Sequence, residues 1–536
     1  MGTRARCLSS HGKGASQVQH AAALDNRPIL PKVMAMTEWN RREMVAATGA
    51  ALVMARSGSL AAATAGPQGF DWATLVARAQ ALSATPYRNV PPNPGAQAVD
   101  YDALNAVRFR DDRTLWNDRN DATGIRLFPL SRNANQPVFL HLVDRGQATP
   151  IAYDPGFFDM PDDSPVRALG KDAGFAGFRV MTQARDADWL VYMGASYFRA
   201  AGARKQYGLS ARAVAIDTSS GREEFPRFTH FWLEHDGPAA LTVYALLDGP
   251  GIAGAYRFRN RLDQSGVHQD VDAALFPRRA IGELGLMPMT SMFWYDQAHR
   301  AGTDARATDW RPEIHDSDML LIRSANGAAQ ARPMVNPRAP HVSSFTEPDA
   351  RGFGLLQRDR NFDHYQDDGV FYDRRPSLFA TPRQPLGGGK VRLYSFPATS
   401  EYDDNIAAYW VPDAPVAAGK RIDLGYRLDW QDDAPSPPAA LASLADVFRG
   451  VLESGGVRLV LDFAGGPATA DGVAVHVDTM KAQLLKSAAY PVLGQTGRWR
   501  TVLDLRIDAG LGAEIRAQLR QGDRAISEMV HYPLNP

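Results

Sequence analysis

One cysteine, Cys7, is all the thiol chemistry that 536 residues offer. A single thiol excludes cysteine-ligated zinc and a disulfide framework. Net charge is missing too: 59 lysines and arginines face 59 aspartates and glutamates, which removes the electrostatic case for nucleic acid or an anionic membrane as partner. No apolar run is long enough to span the roughly 30 Å hydrocarbon core as a permanent helix. Internal repeats, heptads and long low-complexity tracts are absent. Gly194-Ala195-Ser196-Tyr197-Phe198 lacks the second glycine of a nucleophile elbow, and Gly387-Gly388-Gly389-Lys390-Val391 lacks both the first-glycine spacing and the hydroxyl of a P-loop. His315 beside Asp316 and Asp318 has no second histidine cluster at ligand spacing, so neither a metal nor another cofactor is expected.

What is present is a folded globular chain, with 45% hydrophobic and 22% charged residues, longer than the roughly 250–300 residues at which one core stops growing. The 46 glycines and 36 prolines favour turns and short strands over long helices. Phe70, Trp72, Leu75, Val76, Ala79 and Leu82 recur at helical spacing before Pro86 and predict one amphipathic helix. Beyond it, short alternating or branched runs at 138–143, 241–247, 391–394, 422–430 and 457–463 predict antiparallel sheets. The Pro- and Gly-bearing stretch Val411 to Lys420 predicts a boundary. The expected organisation is an N-terminal extension and signal over 1–65, a large β-sandwich over 66–412, a linker over 413–420 and a smaller β-sandwich over 421–536.

The N-terminus reads as an address. Arg41-Arg42 precedes an apolar run from Met44 to Met54, and small residues follow at Ala61 to Ala65, the pattern of a cleaved twin-arginine export signal and a periplasmic destination. Translation from Met34 or Met36 fits that signal better than translation from Met1. Loss of residues 1–65 removes Cys7 and, with it, any thiol nucleophile, and leaves a net charge of −5.

Acidic and aromatic residues crowd the segments Ile314 to Asp318, Asp363 to Asp368, Tyr372 to Arg375 and Glu401 to Asn405, interleaved with Phe293-Trp294-Tyr295 and Tyr409-Trp410. Rings stack on pyranose faces, carboxylates and guanidinium groups bind hydroxyls, and two separated carboxyls can act as acid and base on a glycosidic bond. The same residues also suit turns, where Asp and Asn bond the local backbone, and composition alone does not choose between the two.

A resemblance bears on that choice. The segments Gly174 to Val180, Gly194 to Arg199, Gln206 to Arg212, Glu224 to Pro226, Val243 to Leu247, Ile314 to Asp318, Gly352 to Gln357, His364 to Asp367, Arg375 to Leu378 and Asp404 to Ile406 resemble, in the same order, the osmoregulated periplasmic glucan biosynthesis proteins of the OpgG/OpgD (MdoG/MdoD) type. The twin-arginine signal resembles the OpgD branch. The resemblance implies a galactose-mutarotase-like β-sandwich followed by an immunoglobulin-like one. It implies action on a β-1,2-glucan backbone with inversion, either by internal hydrolysis or by ring-closing transfer. A non-catalytic glucan-binding scaffold, receiving chains from an inner-membrane glucan synthase, is the alternative. By the same resemblance Asp404 is the general acid and Asp316 the opposing base, an order open to exchange, with Glu401, Tyr372, Asp367, Arg375 and His315 binding substrate. An inverting pair stands roughly 6.5–9.5 Å apart or works through a relay. The doublet Asp403-Asp404 and the acid at Asp373 depart from relatives that carry an apolar residue and Asn there. A homodimer suits a protein of this size.

Overall fold

The computed structural model describes residues 66–119, 121–300, 306–434, 441–507 and 512–534. The export signal therefore lies outside the described residues. Among those described, no helix is long and apolar enough to cross a membrane.

The predicted helix is there, Trp72–Ser83. Asp71 caps it by accepting the Thr74 N–H at 2.7 Å. Leu75, Val76 and Ala79 are buried with Trp232, Ala255 and Ala274 of the sheet below. The rest is mostly β, as expected. One 16-stranded sheet and one 10-stranded sheet dominate, and a four-stranded sheet lies toward the C-terminus. The large sheet is built on consecutive antiparallel hairpins, Arg227–Gly237, Ala240–Asp248, Ile252–Asp263 and Gly266–Pro277. The second sheet includes Tyr197–Ala200, Ser210–Arg212, Leu284–Ser291, Ile406–Pro412, Gly389–Ser395 and the edge strand His341–Glu347.

Between the two sheets lies an aromatic core in which Tyr192 stacks on Phe178 and Phe198, with centroids 5.4 Å apart in each pair, and meets Phe231 and Phe258 edge-on. The buried polar tips inside it are satisfied. The Tyr192 hydroxyl donates to Asn260 at 2.9 Å, Gln269 donates to both, and the Trp430 indole donates to Gln269 at 2.6 Å. A closed network of this kind fixes the facing of the sheets, because a one-residue slip would strand every member.

The expected boundary at 413–420 does not coincide with a change of sheet. Strand Ile422–Gln431, read from its alternation as the start of the second sandwich, pairs along its length with Gly266–Pro277 on one side and with Ser377–Pro382 on the other. It fills the large sheet. The preceding stretch is also held, with Val416 and Ile281 exchanging backbone hydrogen bonds at 2.9 and 3.1 Å. The chain leaves for the C-terminal sandwich after Gln431, starting its four-stranded sheet with Ser443–Leu452. Even there the core is shared. Strand Met529–Pro533 pairs parallel to Ala329–Pro333, Leu321 and Leu356 cluster with Leu461, Trp499 and Leu519, and Arg358 reaches across to both carboxylate oxygens of Glu528 at 2.7 and 2.8 Å.

Candidate active site

The loop before strand Ile406–Pro412 is fixed from below by Asn405, which is fully buried. Its side chain accepts the Phe293 N–H at 2.8 Å and donates to the carbonyls of Phe293 and Phe396 at 3.0 Å each. Asp403 shapes the same loop by accepting the N–H groups of Thr399 and Ser400 at 3.0 and 3.2 Å. The extra carboxylate of the doublet is thus a local turn-former. Between these two anchors stands Asp404, half-buried. Among the described residues its carboxyl has no hydrogen-bonding or ion-pair partner. Burial pushes that carboxyl above the ordinary range, against the pull of Arg212, Arg199 and Arg375, with a small upward push from Asp403.

Asp316 follows the short strand Ile314–His315, which pairs with Phe293–Tyr295, and its N–H donates to the Met292 carbonyl at 2.8 Å. Arg375 ion-pairs with its Oδ1. The same guanidinium lies over the Tyr372 ring, 4.0 Å from its centroid. Burial pulls Arg375 down to about 9 while Glu401 and Asp404 favour its charge, so it is cationic at neutral pH. The turn Tyr372–Arg374 that delivers these residues is entered through Phe371 at φ +50°, a left-handed conformation costly for an aromatic residue.

The Tyr372 hydroxyl donates to Glu401 at 2.6 Å, and burial together with that carboxylate keeps the phenol well above its usual pKa. Arg311 joins the remaining acids, with one nitrogen 2.6 Å from Asp367 and 2.9 Å from Glu401. Burial opposes its charge, but Asp309, Glu401 and Asp367 outweigh that and raise it. Asp367 is held below the carboxylate range, despite burial, by the N–H groups of Val370 and Gly369 and by Arg311. One contact chain therefore runs from Asp316 through Arg375, Tyr372, Glu401 and Arg311 to Asp367, with Asp404 beside it.

His315 is not part of this chain. It is fully buried, with Nδ1 2.9 Å from Gln357 Oε1 and Nε2 3.0 Å from Glu313, and the Phe293 ring stacks on it. Its expected role in substrate binding gives way to one as a strut beneath Asp316. Gln357, also fully buried, completes the strut by donating to the carbonyls of His315 and Tyr372 and to the Tyr365 hydroxyl at 3.0–3.1 Å. The aromatic runs expected to line the site are core as well, since Trp294, Tyr295, Tyr409 and Trp410 are buried. Two exposed rings, Trp310 (70%) and Tyr402 (64%), each stand one residue from the Arg311–Glu401 pair.

Arg311 and Glu313 escaped sequence reasoning, and Gln357 entered it only as the end of the segment Gly352 to Gln357. Arg199 and Arg212 lay within the segments used for the resemblance but carried no assigned role. Glu313, Asp359 and His364 bring three potential metal donors within 4.8 Å of one another. Two of those contacts are already spent, Glu313 on His315 and Asp359 on His364 at 2.5 Å.

Comparison with known proteins gives a single answer. A family described as "Periplasmic glucan biosynthesis protein, MdoG" matches residues 70–534. Among curated proteins, "Glucans biosynthesis protein D 1" of Ralstonia nicotianae is 42% identical over 517 residues, covering 90% of this chain and 95% of the relative. "Glucans biosynthesis protein D 2" of the same organism is 39% identical over 494 residues, covering 87% and 91%. "Glucans biosynthesis protein D" of Xanthomonas campestris pv. campestris is 42% identical over 424 residues, covering 75% and 77%.

Proposed function

The chain belongs to the periplasmic glucan biosynthesis protein family, and on that premise we propose that it cleaves the β-1,2-linked backbone of such a glucan with inversion, passing the cut end either to water or to a hydroxyl of the same chain. Export through the twin-arginine route, removal of residues 1–65 and delivery of substrate by an inner-membrane synthase are parts of the same reading.

The observation that carries it is the contrast between two acids. Among the described residues the Asp404 carboxyl takes no hydrogen bond or ion pair, and burial pushes it up, as suits a general acid that must hold a proton at working pH. Asp316 keeps its charge company with Arg375 through Oδ1, and its other oxygen takes no hydrogen bond from the described residues. In the proposed step Asp404 gives its proton to the glycosidic oxygen as the bond to the anomeric carbon breaks. A water or sugar hydroxyl attacks that carbon from the opposite face and loses its proton toward Asp316, directly or through a neighbouring hydroxyl. Glu401, oriented by Tyr372 and Arg311, supports the developing positive charge and binds hydroxyls.

A glucan-binding scaffold without turnover is the second reading, and the Arg375 ion pair, which occupies one oxygen of the proposed base, is the observation on its side. Incubation of the protein from residue 66 with linear β-1,2-glucan, read by mass spectrometry and a reducing-end assay, separates the outcomes. Shorter chains with new reducing ends mean hydrolysis, products lacking one water and a reducing end mean ring closure, and unchanged glucan refutes both in favour of the scaffold.

A further inference from the structure

A groove of about 540 Å³ opens where the edge strand His341–Glu347 lies over the C-terminal strands of the large sheet. That volume falls within the roughly 300–1,000 Å³ of ligand sites. One wall is the edge strand from His341 to Thr346, the floor carries Gln330, Glu514 and Arg516, and the far wall is Asp478 to Met480. The far wall ends strand Val473–Met480, which is itself an edge.

The lining is mixed in a particular way. Ser343 offers a hydroxyl on the face it shares with Phe345, Gln330 adds an amide, and the cross-strand partners Asp478 and Arg516, on the face of His531, add an exposed carboxylate and guanidinium. Hydroxyls and amides both donate and accept, as a polyol requires. Met480, 54% exposed, gives an apolar edge for a ring face. Charge is close to balanced, since Arg516 stands against Asp478, and Glu514 has His531 at 3.4 Å. Burial holds His341 below its ordinary pKa and so neutral. This is poor ground for a phosphate or a strongly charged peptide and good ground for a neutral sugar chain.

Position ties the groove to the acidic cluster. His341 pairs with Ser395 and Ser395 with Ile406, so His341 shares a cross-strand row with the residue two beyond Asp404, about 10 Å away at the spacing of sheet strands. The segment leading into the edge strand is anchored at the site's own loops, where Asn336 donates to the carbonyls of Trp294 and Ala398 at 3.0 and 2.8 Å.

We propose that this groove is a second, non-catalytic binding site for the glucan, holding the length of chain that runs beyond the acidic cluster. It rests on the glucan reading above for the identity of the chain. The test is kinetic, on the protein from residue 66, with long and short linear β-1,2-glucans as separate substrates. Ser343→Trp with Asp478→Trp fills the groove from both walls, and Arg516→Gln removes its strongest donor. Each should raise KM for the long chains about tenfold and leave kcat and KM for short chains unchanged. Equal effects on both lengths, or none on either, overturn the proposal, as does protection of the groove by an extended peptide in place of the glucan. Should wild type turn over no glucan at all, the catalytic reading fails alone. Isothermal titration with long glucan then decides the groove, whose affinity must still fall about tenfold in Arg516→Gln.

Discussion

Replacing His315 and Glu313 together by glutamine should flatten the dependence of stability on pH between 6.5 and about 9. Both ring nitrogens of His315 face acceptors, Gln357 Oε1 and Glu313 Oε2. The Gln357 amide cannot turn, because its nitrogen is spent on His315, Tyr365 and Tyr372. Only the imidazolium donates from both nitrogens. Burial opposes that charge, but Glu313, Asp318 and Asp296 prevail and raise the pKa from 6.5 to about 9. Burial also pushes Glu313 up, which argues for a neutral pair. The two demands for a donor decide for the proton on His315. A raised cationic pKa stabilises the fold in full below 6.5 and ceases to do so as pH rises through about 9. At ~1.36 kcal/mol per unit the loss across that window is about 3 kcal/mol. Urea denaturation on either side of the window reads it directly. Wild type should lose about 3 kcal/mol more than the double variant, whose amides do not titrate. His315→Gln alone should cost about 3–5 kcal/mol at neutral pH by stranding a buried carboxylate. Parallel profiles for wild type and double variant would refute the reasoning.

Arg311→Met leaves Asp367 and Glu401 without their shared cation and should cost about 3–5 kcal/mol together with activity; a fall under about 1 kcal/mol in thermal denaturation would contradict the role given to it. Tyr372→Phe keeps the ring under Arg375 but removes the 2.6 Å hydrogen bond to Glu401, with an expected loss of about 1.5–3 kcal/mol in urea and a lower kcat. Activity should fall as pH rises through the elevated pKa of Asp404, and Arg212→Gln, which removes the strongest cation drawing that pKa down, should move this alkaline limb to higher pH in a rate–pH profile.

Much of this architecture is written locally. The helix over Trp72–Ser83 follows from apolar spacing and its cap, and most strands follow from alternation between turn residues. Alternation records which face a residue takes but not which neighbour a strand pairs with. For that reason Ile422–Gln431 reads as the start of a new domain while its partners, Gly266–Pro277 and Ser377–Pro382, lie up to 165 residues back in the chain, as Gly266 does from Gln431. The same rule, applied one step further, would have separated His315 from Asp316. Neighbours along an extended chain face opposite ways, so an acid turned to the site leaves the histidine before it turned to the core. Arg311 carries no such mark. A lone arginine between Trp310 and Pro312 has no pattern, and its reach to Asp367 and Glu401, 56 and 90 residues on, is tertiary information. The buried aromatics at 294–295 and 409–410 show the limit of composition, which counts rings without saying whether they face a sugar or a core.

The central claim is that Asp404 protonates a glycosidic oxygen of β-1,2-glucan, and the direct test is turnover of that glucan by wild type and by Asp404→Asn, with the midpoint of thermal unfolding taken on the same samples. The account predicts new products from wild type, at least about a hundredfold fewer from the variant, and a variant midpoint no lower than wild type, because the amide cannot take on the charge that burial disfavours. Equal turnover by the two proteins, or none by wild type, would contradict it.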